Sequence, residues 1–164
     1  MVLTFSRKLP LVMARGLWSP GILFFLSSKT EVTGLENIEK GKNYVLVSNH
    51  LSYLDIPSLF KTIPLNIHFV AKKELKKVPF LGWFMTATGM IYIDRKDRNK
   101  ASQSLKDAAE LIANGKTVLI FPEGTVSANG EIQKFKKGGF HLALEAGVDI
   151  LPISLKGTNS IWSD

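Results

Sequence analysis

The sequence has 164 residues and a mass of 18.2 kDa, which is the size of a single domain. Hydrophobic residues make up 45% and charged residues 21%, so the composition excludes a disordered or low-complexity protein. The formal charge of +7 indicates an anionic partner, such as nucleic acid, an acidic membrane surface or a phosphorylated substrate. The lack of cysteine excludes disulfides, thiol nucleophiles and cysteine-bound metal sites, and with three histidines and no HExxH motif we expect no transition-metal site.

The amino-terminal residues 1–28 form a segment that is both apolar and basic. A membrane-spanning helix needs about 20 mostly apolar residues, and here Gly, Pro and Arg interrupt the run. We therefore expect two short helical pieces, broken near Pro20, that lie at a membrane interface. The alternative is a helix hairpin that covers the domain's own core. The first 30 residues contain no acid and four cations, Arg7, Lys8, Arg15 and Lys29, which we expect to face anionic lipid.

In the remainder of the chain, residues 29–164, short apolar runs alternate with helical patterns. The sequence predicts strands at 31–34, 43–48, 68–71, 89–93, 117–121 and 150–155, and helices at 56–60, 100–113 and 138–146. This alternation predicts an α/β fold, with a mostly parallel or mixed sheet flanked by helices in one layered domain.

The first candidate site residues follow the predicted strand at 43–48. His50 comes just beyond that strand, and Asp55 follows five residues later near the start of a helix. A carboxylate that accepts from Nδ1–H would fix the imidazole tautomer and leave Nε2 free to take a proton. There is no GxSxG motif and Ser52 is too close to His50 to be a nucleophile, so His50 would activate a hydroxyl of the substrate. The alternative is a helix cap at Asp55 beside a hydrogen-bonded histidine.

Two other predicted strands also end in polar residues. Arg95 follows the strand at 89–93 and could hold a phosphate with two hydrogen bonds, or be a solvated charge. Glu123, Gly124 and Thr125 follow the strand at 117–121, where glycine allows close approach of a ligand and the side chains offer an acceptor and a donor. The alternative is a simple turn.

Taken together, these motifs resemble those of the glycerolipid acyltransferases. The order is NHxxxxD at 49–55, GxxxIDR at 89–95, FPEGT at 121–125 and Leu-Pro-Ile at 151–153. Within that family, the likeness is closest to the bacterial 1-acyl-sn-glycerol-3-phosphate acyltransferases. Two features depart from the family's pattern. Val126 stands where many members have arginine, and members are commonly longer, so the alternative that the chain is a fragment truncated at its C-terminus stays open.

The resemblance implies transfer of a fatty acyl group from acyl-CoA or acyl carrier protein to the sn-2 hydroxyl of lysophosphatidate, which gives phosphatidate. It implies that His50 is the general base and that Asp55 holds it. Because the thioester is already activated, no metal or cofactor is required. The substrate-binding residues that the resemblance implies are Arg95 for the acceptor phosphate, with Lys72 as a helper, and Glu123 and Gly124 for the glycerol part. Thr125 is expected to be a further substrate-binding residue.

The resemblance also implies a peripheral or monotopic protein on the cytoplasmic face of the inner membrane. Four lysines lie beside four large apolar residues between positions 72 and 84. We call this the 72–84 surface. We expect it to contact anionic lipid headgroups or the phosphates of the donor, and the alternative is a solvated helix face. His68 and His141 are expected to be structural. The alternative functions are acylation of glycerol 3-phosphate or of another lysolipid, and an inactive membrane-binding relative. A nucleic-acid partner is not expected, because no recognition motif is present.

Overall fold

Five parallel strands form the centre of the structure, a computed structural model that describes residues 8–94 and 98–162. The strands lie in the order β3-β2-β4-β1-β5, and each neighbouring pair is parallel. The predicted α/β class is therefore confirmed, with a sheet that is wholly parallel in the described part of the chain. The strands are β1 (Val45–Ser48), β2 (Ile67–Lys72), β3 (Ile91–Ile93), β4 (Thr117–Ile120) and β5 (Ile150–Ile153).

Helices cover both faces of this sheet, as a parallel sheet with apolar strands requires. The α-helices are α1 (Lys8–Met13), α2 (Ser19–Phe25), α3 (Asp55–Thr62), α4 (Leu81–Ala87), α5 (Arg98–Ala113), α6 (Gly138–Ala146) and α7 (Thr158–Ile161). A π-helical turn (Ala14–Trp18) joins α1 to α2, and 3₁₀ turns lie at Leu35–Asn37 and Lys73–Lys77.

Alternate strand residues enter two separate apolar clusters, one on each face of the sheet. Leu46 and Leu119 pack with residues of α3 and α4, whereas Val45 and Val118 pack with residues of α5 and α6. All four of these strand side chains are essentially inaccessible to solvent. The two-residue period of the strands thus assigns the helices to opposite layers.

Most predicted elements are present, with bounds that differ by a few residues. The prediction of a strand at 31–34 is wrong, because that segment is irregular and leads through Gly34, at a φ of 81°, into a 3₁₀ turn. The helices α4 and α7 were not predicted. Both are short, seven and four residues, so neither shows a full helical period of apolar residues in the sequence.

The predicted break near Pro20 is also wrong. Helical backbone runs from residue 8 to residue 25, and what changes before the proline is the hydrogen bonding. The N–H of Ser19 bonds to the carbonyl of Ala14, five residues back. Pro20 has no N–H, so it cannot donate the hydrogen bond to the residue four positions back that an α-helix requires. The π-helical turn just before it keeps the backbone helical without that bond.

One side of this N-terminal helical run packs against α3, and the other is exposed. Leu11 and Ala14 enter the cluster that contains Leu46, and Leu23 is also buried. Arg15, predicted to face lipid, instead donates from Nη2 to the carbonyl of Leu65, and its burial lowers the pKa of the guanidinium. Within the described residues, no helix is long and apolar enough to cross a membrane.

Candidate active site

The carboxyl ends of the five parallel strands meet at one edge of the sheet, where ligands of open α/β sheets bind. His50 lies two residues beyond β1, and Glu123 three residues beyond β4, the strand paired to β1. Asp55 is the first residue of α3. Strand pairing and the loop between β1 and α3 therefore bring these three side chains to the same place.

The imidazole of His50 and the carboxylate of Asp55 are in direct contact. Nδ1 of His50 lies 2.9 Å from Oδ2 of Asp55. The same oxygen accepts hydrogen bonds from the backbone N–H groups of Leu51, at 2.7 Å, and Ser52, at 2.9 Å. These backbone donors come from the loop that joins His50 to Asp55, so a tight local turn builds the pair.

Asp55 is completely buried, with 0% of its surface exposed. Its second oxygen, Oδ1, accepts from the hydroxyl of Thr158 at 2.6 Å. Every group that contacts the carboxylate can donate a proton, which is the arrangement that an ionised carboxylate needs in a buried site. Nδ1 of His50 is then the protonated nitrogen, and Nε2 is left as a proton acceptor.

The ring of His50 is held on its face as well as at its edge. It stacks on Phe121, with ring centroids 3.8 Å apart and planes 13° from parallel. The residue is 9% exposed, and no described side chain hydrogen-bonds to Nε2. A ring fixed in this way can present Nε2 to a substrate hydroxyl in one orientation.

Glu123 contacts the loop of residues 49–55, called the 49–55 loop below, through its backbone. Its Oε1 accepts from the N–H of His50 at 3.3 Å, while Oε2 is buried and has no hydrogen-bond partner among the described residues. Gly124 follows in a tight turn at a φ of 79°, a conformation that favours glycine. Thr125 is exposed, and no hydrogen bond joins its side chain to His50 in the described structure.

The remaining predicted site residues lie farther along the same edge. Lys72 is exposed at the end of β2, which β4 separates from β1. Arg95 lies outside the described residues, and its role stays a prediction. The preceding Asp94 directly follows β3, and its Oδ2 lies 3.4 Å from Nζ of Lys73. Three strand spacings separate β3 from β1, or about 14 Å, so a ligand held at Arg95 has to extend along the edge toward His50.

A shallow depression of about 300 Å³ lies near the end of β3. Two lysines and one carboxylate border it, so its lining carries a net positive charge. The Nζ of one of them, Lys76, lies 5.8 Å above the ring of Tyr92. The lining residues are Lys73, Lys76, Tyr92, Asp94, Gln103 and Ser104.

Residues after β5 also contribute to this site, a part that was not predicted from the sequence. The amide of Asn49 donates to the carbonyl of Leu155 at 2.9 Å and accepts from its N–H at 2.8 Å. The hydroxyl of Ser52 donates to the carbonyl of Trp162. With the bond from Thr158 to Asp55, three residues of the 49–55 loop are thus bound by residues 155–162. The sequence does contain one indication of this part. The polar run Gly-Thr-Asn-Ser at 157–160 follows a predicted strand whose carboxyl end lies at the same edge of the sheet.

Comparison with known proteins relates the whole arrangement to one group. The sequence model of the acyltransferase family matches residues 29–156. A 1-acyl-sn-glycerol-3-phosphate acyltransferase of Saccharomyces cerevisiae is 40% identical over 141 residues, which is 84% of this chain and 46% of that protein. One from Borreliella burgdorferi is 33% identical over 146 residues, covering 89% of this chain and 56% of that protein.

A solved structure gives the same relationship in three dimensions. The crystal structure of the 1-acyl-sn-glycerophosphate (LPA) acyltransferase of Thermotoga maritima superimposes with a TM-score of 0.80 at 34% sequence identity. The match covers 93% of this chain and 60% of that one. The chain spans about half the length of the curated relatives it matches.

Proposed function

The chain belongs to the acyltransferase family, and we propose that it transfers a fatty acyl group to the sn-2 hydroxyl of 1-acyl-sn-glycerol 3-phosphate. The donor is acyl-CoA or acyl carrier protein, and the product is phosphatidate. The observation that carries the proposal is the buried pair of His50 and Asp55 at the carboxyl edge of the sheet. The names and similarity of the relatives at 33–40% identity support the choice of acceptor.

The pair supplies the proton transfers that the reaction needs. Nε2 of His50 takes the proton of the sn-2 hydroxyl as that oxygen attacks the thioester carbonyl. When the tetrahedral intermediate collapses, the C–S bond breaks and the imidazolium returns the proton to the departing thiolate. Asp55 stabilises the imidazolium between these steps. General base catalysis of this kind contributes typically 10²–10⁴-fold in rate.

In this proposal, the acceptor lies along the carboxyl edge of the sheet. Arg95 holds its phosphate, with Lys72 as a helper, beyond the end of β3 and β2. The basic depression near β3 supports this placement, because it offers positive charge beside the predicted position of the phosphate. Glu123, Gly124 and Thr125 position the glycerol part, and the contact of Glu123 with the His50 backbone supports a place for it next to the base.

We also propose that residues 1–28 bind the enzyme to an anionic membrane surface on its cytoplasmic side, while residues 29–164 carry the chemistry. The exposed side of the N-terminal helical run supports this division. Its outward side chains are Leu9, Val12, Met13, Leu17, Trp18, Phe24 and Phe25, of which Phe25 is 86% exposed. An apolar helix face of this size beside basic residues is typical of interfacial membrane binding.

The 72–84 surface offers a second contact with the same membrane. Phe80 is 79% exposed and adopts a φ of 60° and ψ of −55°, with the N–H of Leu81 bonded to the carbonyl of Pro79 at 2.6 Å. This is a strained γ-turn, and such strain is found mainly at functional sites. Because α4 and the N-terminal helices join the same apolar cluster, both contacts come from one layer of the fold.

An activity panel of donors and acceptors, run on the detergent-solubilised protein, tests the proposed function. We expect lysophosphatidate to be acylated faster than glycerol 3-phosphate or other lysolipids, and His50→Ala to abolish thioester cleavage. The matched control is His141→Ala, which changes an exposed histidine of α6. Turnover by His50→Ala at a rate near that of the unchanged protein would contradict the mechanism, and membrane binding without any turnover would favour an inactive relative.

A further inference from the structure

Thr158 contributes the single hydrogen bond that Oδ1 of Asp55 accepts within the described part of the chain. Its Oγ1 lies 2.6 Å from that oxygen, across 103 positions of sequence, and both residues are buried. We propose that Thr158 is a positioning residue that orients the Asp55 carboxylate toward His50. This inference rests on the proposed function, since it concerns the efficiency of the same proton transfer.

The two ends of the carboxylate are held very differently. Oδ2 is held by the His50 ring and by two backbone N–H groups of the adjacent loop, whereas Oδ1 depends on one hydroxyl from a distant segment. Rotation about the Cβ–Cγ bond of aspartate is soft, so local backbone donors alone leave the carboxylate plane poorly defined. A bond to the opposite oxygen fixes that plane, and with it the direction of the bond to Nδ1.

The structure holds Thr158 firmly enough to do this. Gly157, at a φ of 85°, is the N-cap of the short helix α7, and the N–H of the C-cap residue Trp162 bonds to the carbonyl of Thr158 at 3.1 Å. Hydrogen bonds of Asn49 with Leu155 and of Ser52 with Trp162 attach the residues on either side of Thr158 to the 49–55 loop. Thr158 thus lies in the middle of a segment bound at both ends to the loop that it serves.

This arrangement matters most when His50 becomes positively charged. The imidazolium is stabilised by a carboxylate whose oxygen is already directed at Nδ1, because no reorganisation is then required during the reaction. The hydroxyl of Thr158 also compensates the buried charge of Asp55 on its far side. Loss of that hydroxyl should therefore lower kcat and leave the KM for both substrates nearly unchanged.

Three variants test the assignment in mixed detergent micelles. Thr158→Val keeps the volume of the side chain and removes the hydroxyl, and we expect kcat to fall about 10- to 100-fold, the range of one lost hydrogen bond to a buried charged group. Thr158→Ser keeps the hydroxyl and should retain kcat within about threefold. The matched control is Ser160→Ala, which removes a hydroxyl of the same helix that donates to Gly157 instead.

Nitrogen NMR of ¹⁵N-histidine-labelled protein provides a readout that does not depend on turnover. In Thr158→Val the ring resonances of His50 should move, while those of His68 and His141 stay in place. If Thr158→Val does not fold, as judged by circular dichroism, Thr158→Ala removes the same hydroxyl.

Two results would overturn the assignment: a kcat unchanged by removal of the hydroxyl, or a Ser variant as slow as the Val variant. If the unchanged protein shows no acyl transfer, the proposed function fails, and the NMR decides the positioning by itself. Unmoved His50 resonances would then refute it.

Discussion

Replacement of Asp55 by asparagine should separate its charge from its place in the fold. The carboxylate accepts from His50 and two backbone N–H groups at Oδ2, and from Thr158 at Oδ1. An asparagine amide can put its oxygen at the Oδ2 position and its NH₂ at the Oδ1 position, where the threonine hydroxyl can act as acceptor instead. Every local bond then persists, and the negative charge alone is lost.

The magnitude follows from the distance between the charges. With Nδ1 and Oδ2 2.9 Å apart, the centres of the delocalised charges lie about 4 Å apart. At an effective dielectric constant of about 20, an imidazolium and a carboxylate at that distance attract by about 4 kcal/mol. Because the imidazolium forms only during the reaction, this loss raises the barrier, and we expect kcat to fall about 10³-fold.

Asp55→Ala is the contrasting change. It leaves two backbone N–H groups and the hydroxyl of Thr158 without their acceptor in a buried site, at about 1–3 kcal/mol for each unpaired group. A total of about 3–9 kcal/mol is a large part of the 5–15 kcal/mol that stabilises a typical domain. The Ala variant should therefore unfold at a much lower temperature than the Asn variant.

The assay for the Asn variant is release of CoA, followed with a thiol reagent. Because the chain has no cysteine, the reagent reports the product thiol without a background from the protein. Thermal unfolding by circular dichroism gives the stability of each variant. If Asp55→Asn retained more than a tenth of the normal kcat, stabilisation of the imidazolium by the charge of Asp55 would be refuted. If the Ala and Asn variants were equally stable, the destabilisation expected from the unpaired hydrogen-bonding groups would be refuted.

Three further changes test the phosphate site, the membrane contact and the packing. Arg95→Lys should raise the KM for lysophosphatidate and leave that for the thioester unchanged, because lysine cannot form the paired bonds of a guanidinium; an equal rise in both would indicate a structural role. Phe25→Asp should reduce co-sedimentation of the protein with anionic vesicles at low and at high salt. The control is Leu144→Asp, which changes an exposed residue of α6 on the opposite layer and should not reduce it. Equal pelleting of the two variants would indicate that the membrane contact lies at the 72–84 surface instead. Gly82→Ala should lower the thermal unfolding temperature, at a cost of about 2 kcal/mol or more, since the new Cβ would lie 2.2 Å from a backbone carbonyl oxygen of the preceding turn. The control is Gly16→Ala, whose Cβ meets nothing within 4 Å, and similar unfolding temperatures for the two variants would contradict this reasoning.

Local patterns in the sequence were sufficient for the long elements of the fold. The helix α6 begins and ends where the apolar pattern predicts, and the strands at 43–48 and 117–121 are found as β1 and β4 with slightly shorter bounds. These segments bury their side chains in a regular period, which sequence alone displays. The predicted strand at 31–34 failed because strand-forming residues need a neighbouring strand, and none of the described strands pairs with that segment.

The sequence by itself determined the composition of the site at short range: a histidine after a buried strand and an aspartate five residues later, within reach of one loop. It could not determine what lies on the far side of that aspartate, because Thr158 is 103 positions away and only the pairing of β1 with β5 brings the two together. The orientation of Arg15 toward Leu65 was equally hidden, since a charge pattern along one helix does not reveal which face meets α3. Short-range contacts follow from the local backbone, whereas contacts between distant segments depend on strand order and helix packing, which the whole chain decides together.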